Sequence, residues 1–128
     1  MAPEPIEPAL GLLELESIAA GLEAGDAMVK RAPVQVLRAG TVHPGKYLVL
    51  VGGDVADVEE ALDAGVHSGG LAVRDVTFLA NVHAEVIEGV RGRRRAAQDE
   101  ALGIIETATV PAIIRAADAG LKGARVRL

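Results

Sequence analysis

Three histidines, two glutamates that open matching segments, and a run of arginines are the residues whose types could do chemistry. His43, His67 and His83 could hold a metal or shuttle protons. They fall in three different segments and lack a ligand spacing such as His-x-x-x-His, so no metal site is expected. Glu14 and Glu106 could be taken for paired carboxylates. Neither has a nucleophile or a second acid beside it, and a role in packing or at strand ends fits them better. Gly52-Gly53 lacks the Lys-Ser/Thr or G-x-G-x-x-G surroundings of a phosphate loop. Residues 91–95 (RGRRR) are basic, but acidic residues elsewhere balance them and no aromatic accompanies them, so they read as a solvated linker. With no cysteine, disulfides, thiolate catalysis, zinc–sulfur sites and iron–sulfur clusters are excluded. Neither a catalytic constellation nor a cofactor is expected, and the chain does not read as an enzyme.

The bulk composition narrows the classes further. The 128 residues carry a net charge of −5, with one Tyr, one Phe and no Trp. Nucleic-acid binding is disfavoured, because base stacking needs aromatics and phosphates need a basic surface. The acidic, proline-rich start (MAPEPIEPAL) has neither the basic nor the apolar region of a signal peptide. No apolar run approaches the roughly 20 residues of a membrane span. A cytoplasmic protein is the expectation.

These residues must be placed by elements that the pattern predicts in order. Residues 1–8 read as a flexible lead-in. ALGLLEL (9–15) has the length of a strand. Ser17 can cap a helix whose apolar positions Ile18, Leu22, Gly25, Met28 and Val29 fall near one face. A strand over 34–42, a His-Pro-Gly turn at 43–45 and a strand over 46–53 form a hairpin. Asp54 opens a second helix with Val55, Val58, Ala61, Leu62 and Val66 inward, which ends at HSGG (67–70). A fourth strand over 71–80, interrupted by Arg74 and Asp75, precedes a short helix over 83–90 and a polar linker over 91–100. The order is β-α-β-β-α-β, the split-βαβ pattern of the α/β (α+β) class: an antiparallel four-stranded sheet with helices on one face.

The chain then begins again. Shifted by 92 residues, Ala9, Leu10, Gly11, Glu14, Ala20, Ala24, Asp26, Ala27, Lys30, Ala32 and Val34 fall on identical residues within 101–128. Asp26-x-x-x-Lys30 returns as Asp118-x-x-x-Lys122. A constant offset for a glycine, a glutamate and this pair is more than shared hydrophobic patterning. The expected organisation is a lead (1–8), a complete domain (9–90), a linker (91–100) and a partial second copy (101–128) with a β-α-β start.

The stretch ALGLLELESIAAGLEAGDAMVKRAPVQVL, followed by Gly52-Gly53-Asp54-Val55 and an alanine-rich helix, resembles the bacterial microcompartment (BMC) shell-protein family. The second start makes the chain similar to the tandem members, which form trimers that look like hexamers. The resemblance implies a structural subunit in the cytoplasm. It would tile into a microcompartment shell with hexameric and pentameric shell proteins, with no nucleic acid or membrane as partner. It places a pore loop at Val42, His43, Pro44 and Gly45, with Lys46 nearby, and a lattice-edge lysine at Lys30 and Lys122, beside Asp26 and Asp118. A second edge segment falls on Ala80-Asn81-Val82-His83, where Asn81 stands in place of the family's arginine. His43 as a solvent-exposed turn residue and Lys30 as a solvated helix-end lysine remain the plain alternatives. The second copy lacks the segment equivalent to its central hairpin and is expected to be unstable alone. Its remainder would come from a complementary chain or be lost by splitting or truncation. A small trimeric split-βαβ ligand-binding sensor is the rival reading.

Overall fold

The computed structural model describes residues 9–93 and 100–128, so the lead-in and most of the linker lie outside the described residues. Strands β1 (Ala9–Leu15), β2 (Gln35–Val42), β3 (Lys46–Gly53) and β4 (Val73–Leu79) form one antiparallel sheet in the order β2-β3-β1-β4. Helices α1 (Ile18–Arg31) and α2 (Val55–Gly69) cover one face, as the split-βαβ order requires. Helices α3 (Ala84–Val90) and α4 (Val110–Gly123) cover the other.

This two-sided cover explains why β1 reads as an almost unbroken apolar run instead of alternating. All seven of its residues are buried. Ala9, Leu13 and Leu15 point to the α1–α2 side with Val49, Val51, Val58 and Leu62. Leu10 and Leu12 point to the other side and meet Leu50, Val86 and Leu121. Each leucine so buried contributes on the order of 1.5–3 kcal/mol relative to exposure.

The inner face of α1 differs from the expected one. Gly21, Ala24 and Met28 are buried, whereas Ile18, Leu22 and Val29 are exposed. The cause is close approach. A Cβ added at Gly21 would lie 2.4 Å from Tyr47 on β3, and one at Gly65 of α2 would lie 2.7 Å from Met28. The small-residue stripe lets the helix sit low on the sheet and against α2, a position that a stripe of Ile, Leu and Val would prevent. In α2 likewise, Val58, Ala61 and Leu62 face inward as expected, but Val55 and Val66 do not, and Gly65 and Gly69 replace them.

In the second copy the helix forms and the strands do not. Thr109 caps α4 by accepting from the Ala112 amide at 3.2 Å, just as Ser17 caps α1 through Ala20 at 3.1 Å. Residues 101–107 and 124–128, expected as strands, join no sheet. A strand is stabilised by its ladder partners, and among the described residues neither segment has one. The helix is not left bare, however, because it docks on the sheet of the first copy.

The close approach at Gly21 gives a signed test. Gly21→Ala should destabilise the chain by about 1–3 kcal/mol through overpacking against Tyr47. Gly120→Ala, in a helix with open space around it, should stabilise it by about 0.5–1 kcal/mol. Urea denaturation midpoints of the two variants should therefore move in opposite directions.

Candidate functional site

Two groups of polar residues stand out, and each is positioned by the sheet. The first is the turn between β2 and β3. His43 adopts a left-handed φ of 52° and Gly45 one of 77°, while the Lys46 amide donates to the His43 carbonyl at 3.4 Å. A non-glycine residue in this conformation is uncommon, and it projects the exposed His43, Pro44 and Gly45 from the end of the hairpin. Val42 and Lys46 are half-buried at its base. The Lys46 ammonium is not free: it lies 2.9 Å from Glu16. The hydrogen bond from Lys46 holds the Glu16 carboxyl below the usual carboxylate range. That contribution is present above the ordinary carboxylate pKa and fades as pH falls through the lowered one. The turn thus presents imidazole and backbone amides, with its lysine charge partly neutralised.

The second group lies where α4 meets the sheet. Glu14 alternates onto this side of β1 and is fully buried. One of its oxygens accepts from the Val110 amide at the start of α4, at 3.1 Å. Its other oxygen, Oε2, is 3.0 Å from Arg74 Nε; the contact is ionic, since no hydrogen bond of good direction reaches that oxygen. Arg74 also donates to the Ala108 carbonyl at 3.1 Å. Beside it, Asp75 accepts from the Thr109 hydroxyl, and Arg115 donates to Thr77 at 2.7 Å. The interruption of β4 at Arg74 and Asp75, visible in sequence, is therefore where the first copy receives the second. The partners Thr77, Thr109 and Arg115 carried no sequence signal of their own.

At the far end of α4 the structure brings together four of the residues expected at the edge. Asp118 is buried, accepts from the His83 amide at 2.8 Å and pairs with Lys122 at 2.6 Å. Lys122 also donates to the Asn81 carbonyl. The His83 ring is occupied locally, its Nδ1 accepting from the Glu85 amide at 3.1 Å to cap α3. Asp26 and Lys30 form the equivalent 2.6 Å pair on α1, but there it is exposed and reaches no other element. Among the described residues, no three His, Cys, Asp or Glu side chains gather as metal ligands, and no helix is long and apolar enough to cross a membrane.

A split-βαβ sheet with the opening of a second copy docked on it is a specific arrangement, and known proteins share it. The BMC domain matches residues 9–82 and again 101–128. The chain belongs to the BMC domain family. It is 44% identical over 120 residues to the bacterial microcompartment shell protein PduT of Citrobacter freundii, covering 94% of this chain and 65% of that one. To the shell protein PduA of the same organism it is 40% identical over 75 residues, 59% of this chain and 76% of PduA. The crystal structure of a microcompartment protein from Desulfitobacterium hafniense superposes with a TM-score of 0.82 at 42% identity, over 94% of this chain and 67% of the other. The chain thus spans 65% of PduT and 67% of the Desulfitobacterium protein, both longer than itself.

The two Asp-Lys pairs should respond differently to substitution. Asp118→Ala leaves the part-buried His83 amide without its acceptor and takes one of two acceptors from Lys122, and should cost about 1–3 kcal/mol. Asp26→Ala removes an exposed i,i+4 pair and should cost about 0.5 kcal/mol or less. Chemical denaturation of both variants measures the difference.

Proposed function

We propose that this chain is a structural subunit of a bacterial microcompartment shell, located in the cytoplasm, with no catalytic chemistry of its own. The observation that carries this reading is the pair of BMC matches on one chain, over 9–82 and 101–128, combined with 44% identity to the shell protein PduT. The chain is organised as a complete BMC domain (9–90), a linker (91–100) and the opening of a second (101–128). Its assembly is a trimer that imitates a hexamer and tiles beside hexameric and pentameric shell proteins. A repeated unit with two similar domains gives pseudo-sixfold edges from threefold symmetry.

In this reading the β2–β3 turn lines the axis. Val42, His43, Pro44, Gly45 and Lys46 would recur around it, and a ring of imidazoles and turn amides favours small polar or anionic metabolites over cations. Lys30 lies at the lattice edge, its aliphatic stem along a neighbouring unit and its ammonium on backbone carbonyls. Asn81, His83, Asp118 and Lys122 form the corresponding corner within the chain, and Lys122 keeps a side chain 45% exposed there.

Negative-stain microscopy and mass spectrometry of one purified sample test the reading together. Flat sheets or tubes are expected on concentration. A discrete soluble trimer whose melting temperature rises with a small ligand would favour the sensor reading and overturn this one. Lys30→Ala should leave the oligomer intact and reduce sheet formation. His43→Asp should slow the passage of small anions through assembled shells, and an unchanged rate would remove the turn from the pore.

A further inference from the structure

The end of the sheet that carries the β2–β3 turn also carries a row of alternating charges. Antiparallel register brings the end of β1 and the starts of β3 and β4 together there, with Leu15 opposite both Tyr47 and Val73. Lys46 on β3 lies 2.9 Å from Glu16, which follows β1. Arg74 on β4 lies 3.9 Å from the other oxygen of Glu16 and 3.0 Å from Glu14. Two cations and two carboxylates therefore cancel across the row. Their surroundings are unequal. Glu14 is fully buried, so Arg74 is committed to compensating it, and Arg74 also donates to the Ala108 carbonyl. Glu16 stands 48% exposed, and its lysine partner sits at the base of the turn. The backbone fixes Glu16 in place, because its amide donates to the Ala72 carbonyl at 2.7 Å. Its carboxyl is held below the usual carboxylate range, chiefly by the hydrogen bond from Lys46, so it keeps its charge at neutral pH. The repeat does not copy this carboxylate. Shifted by 92 residues, Glu14 falls on Glu106, but Glu16 falls on Ala108.

We propose that Glu16 is the residue that sets which ions the β2–β3 turn admits. Its carboxylate draws the Lys46 ammonium back onto the sheet and neutralises it. The turn tip then presents the His43 imidazole and backbone amides without a ring of uncompensated cations. The inference rests on the reading of this turn as a pore lining, and it adds that the charge there is decided from the end of β1. Removing the carboxylate leaves one uncompensated positive charge per chain beside the axis, where low-dielectric walls focus its field. Small anions then pass more readily relative to cations, and the reverse holds where Lys46 is removed and Glu16 kept. Removing both restores neutrality. A merely structural role for the pair would give losses that add, not signs that cancel.

Sheets of the full chain, sealed across an aperture between two potassium chloride solutions, give the test as a chloride-to-potassium permeability ratio. Glu16→Gln should raise that ratio on the order of threefold, the effect of a few charges about a Debye length from the ion path. Lys46→Gln should lower it by a similar factor, and the double variant should return to the parent value. Glu59→Gln, which removes an exposed charge from the second turn of α2, should leave it unchanged. A second readout needs no pore. Acylation of the soluble chain by an amine-reactive ester, read lysine by lysine, should label Lys46 several-fold faster relative to Lys30 once Glu16→Gln is made. Parent sheets that conduct with a ratio indifferent to Glu16→Gln overturn the proposal and leave the shell reading standing. Lys46 labelling that Glu16→Gln leaves unchanged does the same. A chain that forms no sheets, or sheets that pass no ions, removes the pore reading and this inference with it.

Discussion

The two-sided burial of β1 is the constraint on which the rest of the structure depends. A central strand with every side chain buried needs cover on both faces, and α1 and α2 supply only one. The short α3 adds Val86 and Ile87 on the other side, in one cluster with Leu10 and Leu12. Helix α4 completes the roof with Ile114, Ala117 and Leu121. The second copy is therefore part of the first copy's core, although it begins beyond a linker. Removing apolar surface from water on both sides of one strand is what joins the two repeats into one packed body.

Glu14 sharpens the same dependence. A carboxylate buried in a strand is costly unless its charge is compensated. Arg74 provides the countercharge from β4, and the start of α4 provides the Val110 amide at the end where the helix dipole is positive. The acidic residue on β1, the basic interruption of β4 and the helix start of the second copy thus form one unit. Any of the three read alone looks like an irregularity. The positioning is also directional: Asp75, Thr77 and the His83 amide fix how far along the sheet α4 can slide, since they bond Thr109, Arg115 and Asp118 at successive places along the helix.

Much of the fold was legible because the strongest signals are local. The run 9–15 and the stretch 46–53 became strands at those limits, and Ser17 caps α1 as its type requires. The turn was placed correctly, but the left-handed conformation of His43 was not foreseen, because glycine is the residue type that marks positive φ and here only Gly45 is one. The face of α1 was misread for a physical reason. Apolar periodicity marks which side chains avoid water, and on α1 two stripes compete: one large and apolar, one small. Close packing selected the small stripe, and nothing in a single helix's periodicity reveals that choice. The strands expected in the second copy failed for a different reason, because ladder partners are a property of the sheet and not of the segment.

Repetition within one chain turns that misreading into information. Two helices with matched caps, matched Asp-Lys pairs and matched apolar positions have the same local preferences, so a difference in burial must come from what surrounds them. In α4 the stripe equivalent to Leu22 and Val29 has a sheet to meet. In α1 it has none, because the sheet that α1 belongs to already occupies its other face. The periodicity that predicted Ile18, Leu22 and Val29 as interior was correct about their chemistry. It placed them in the wrong interior, because on α4 that stripe meets the sheet and α3, whereas on α1 the sheet is met by the small-residue stripe instead.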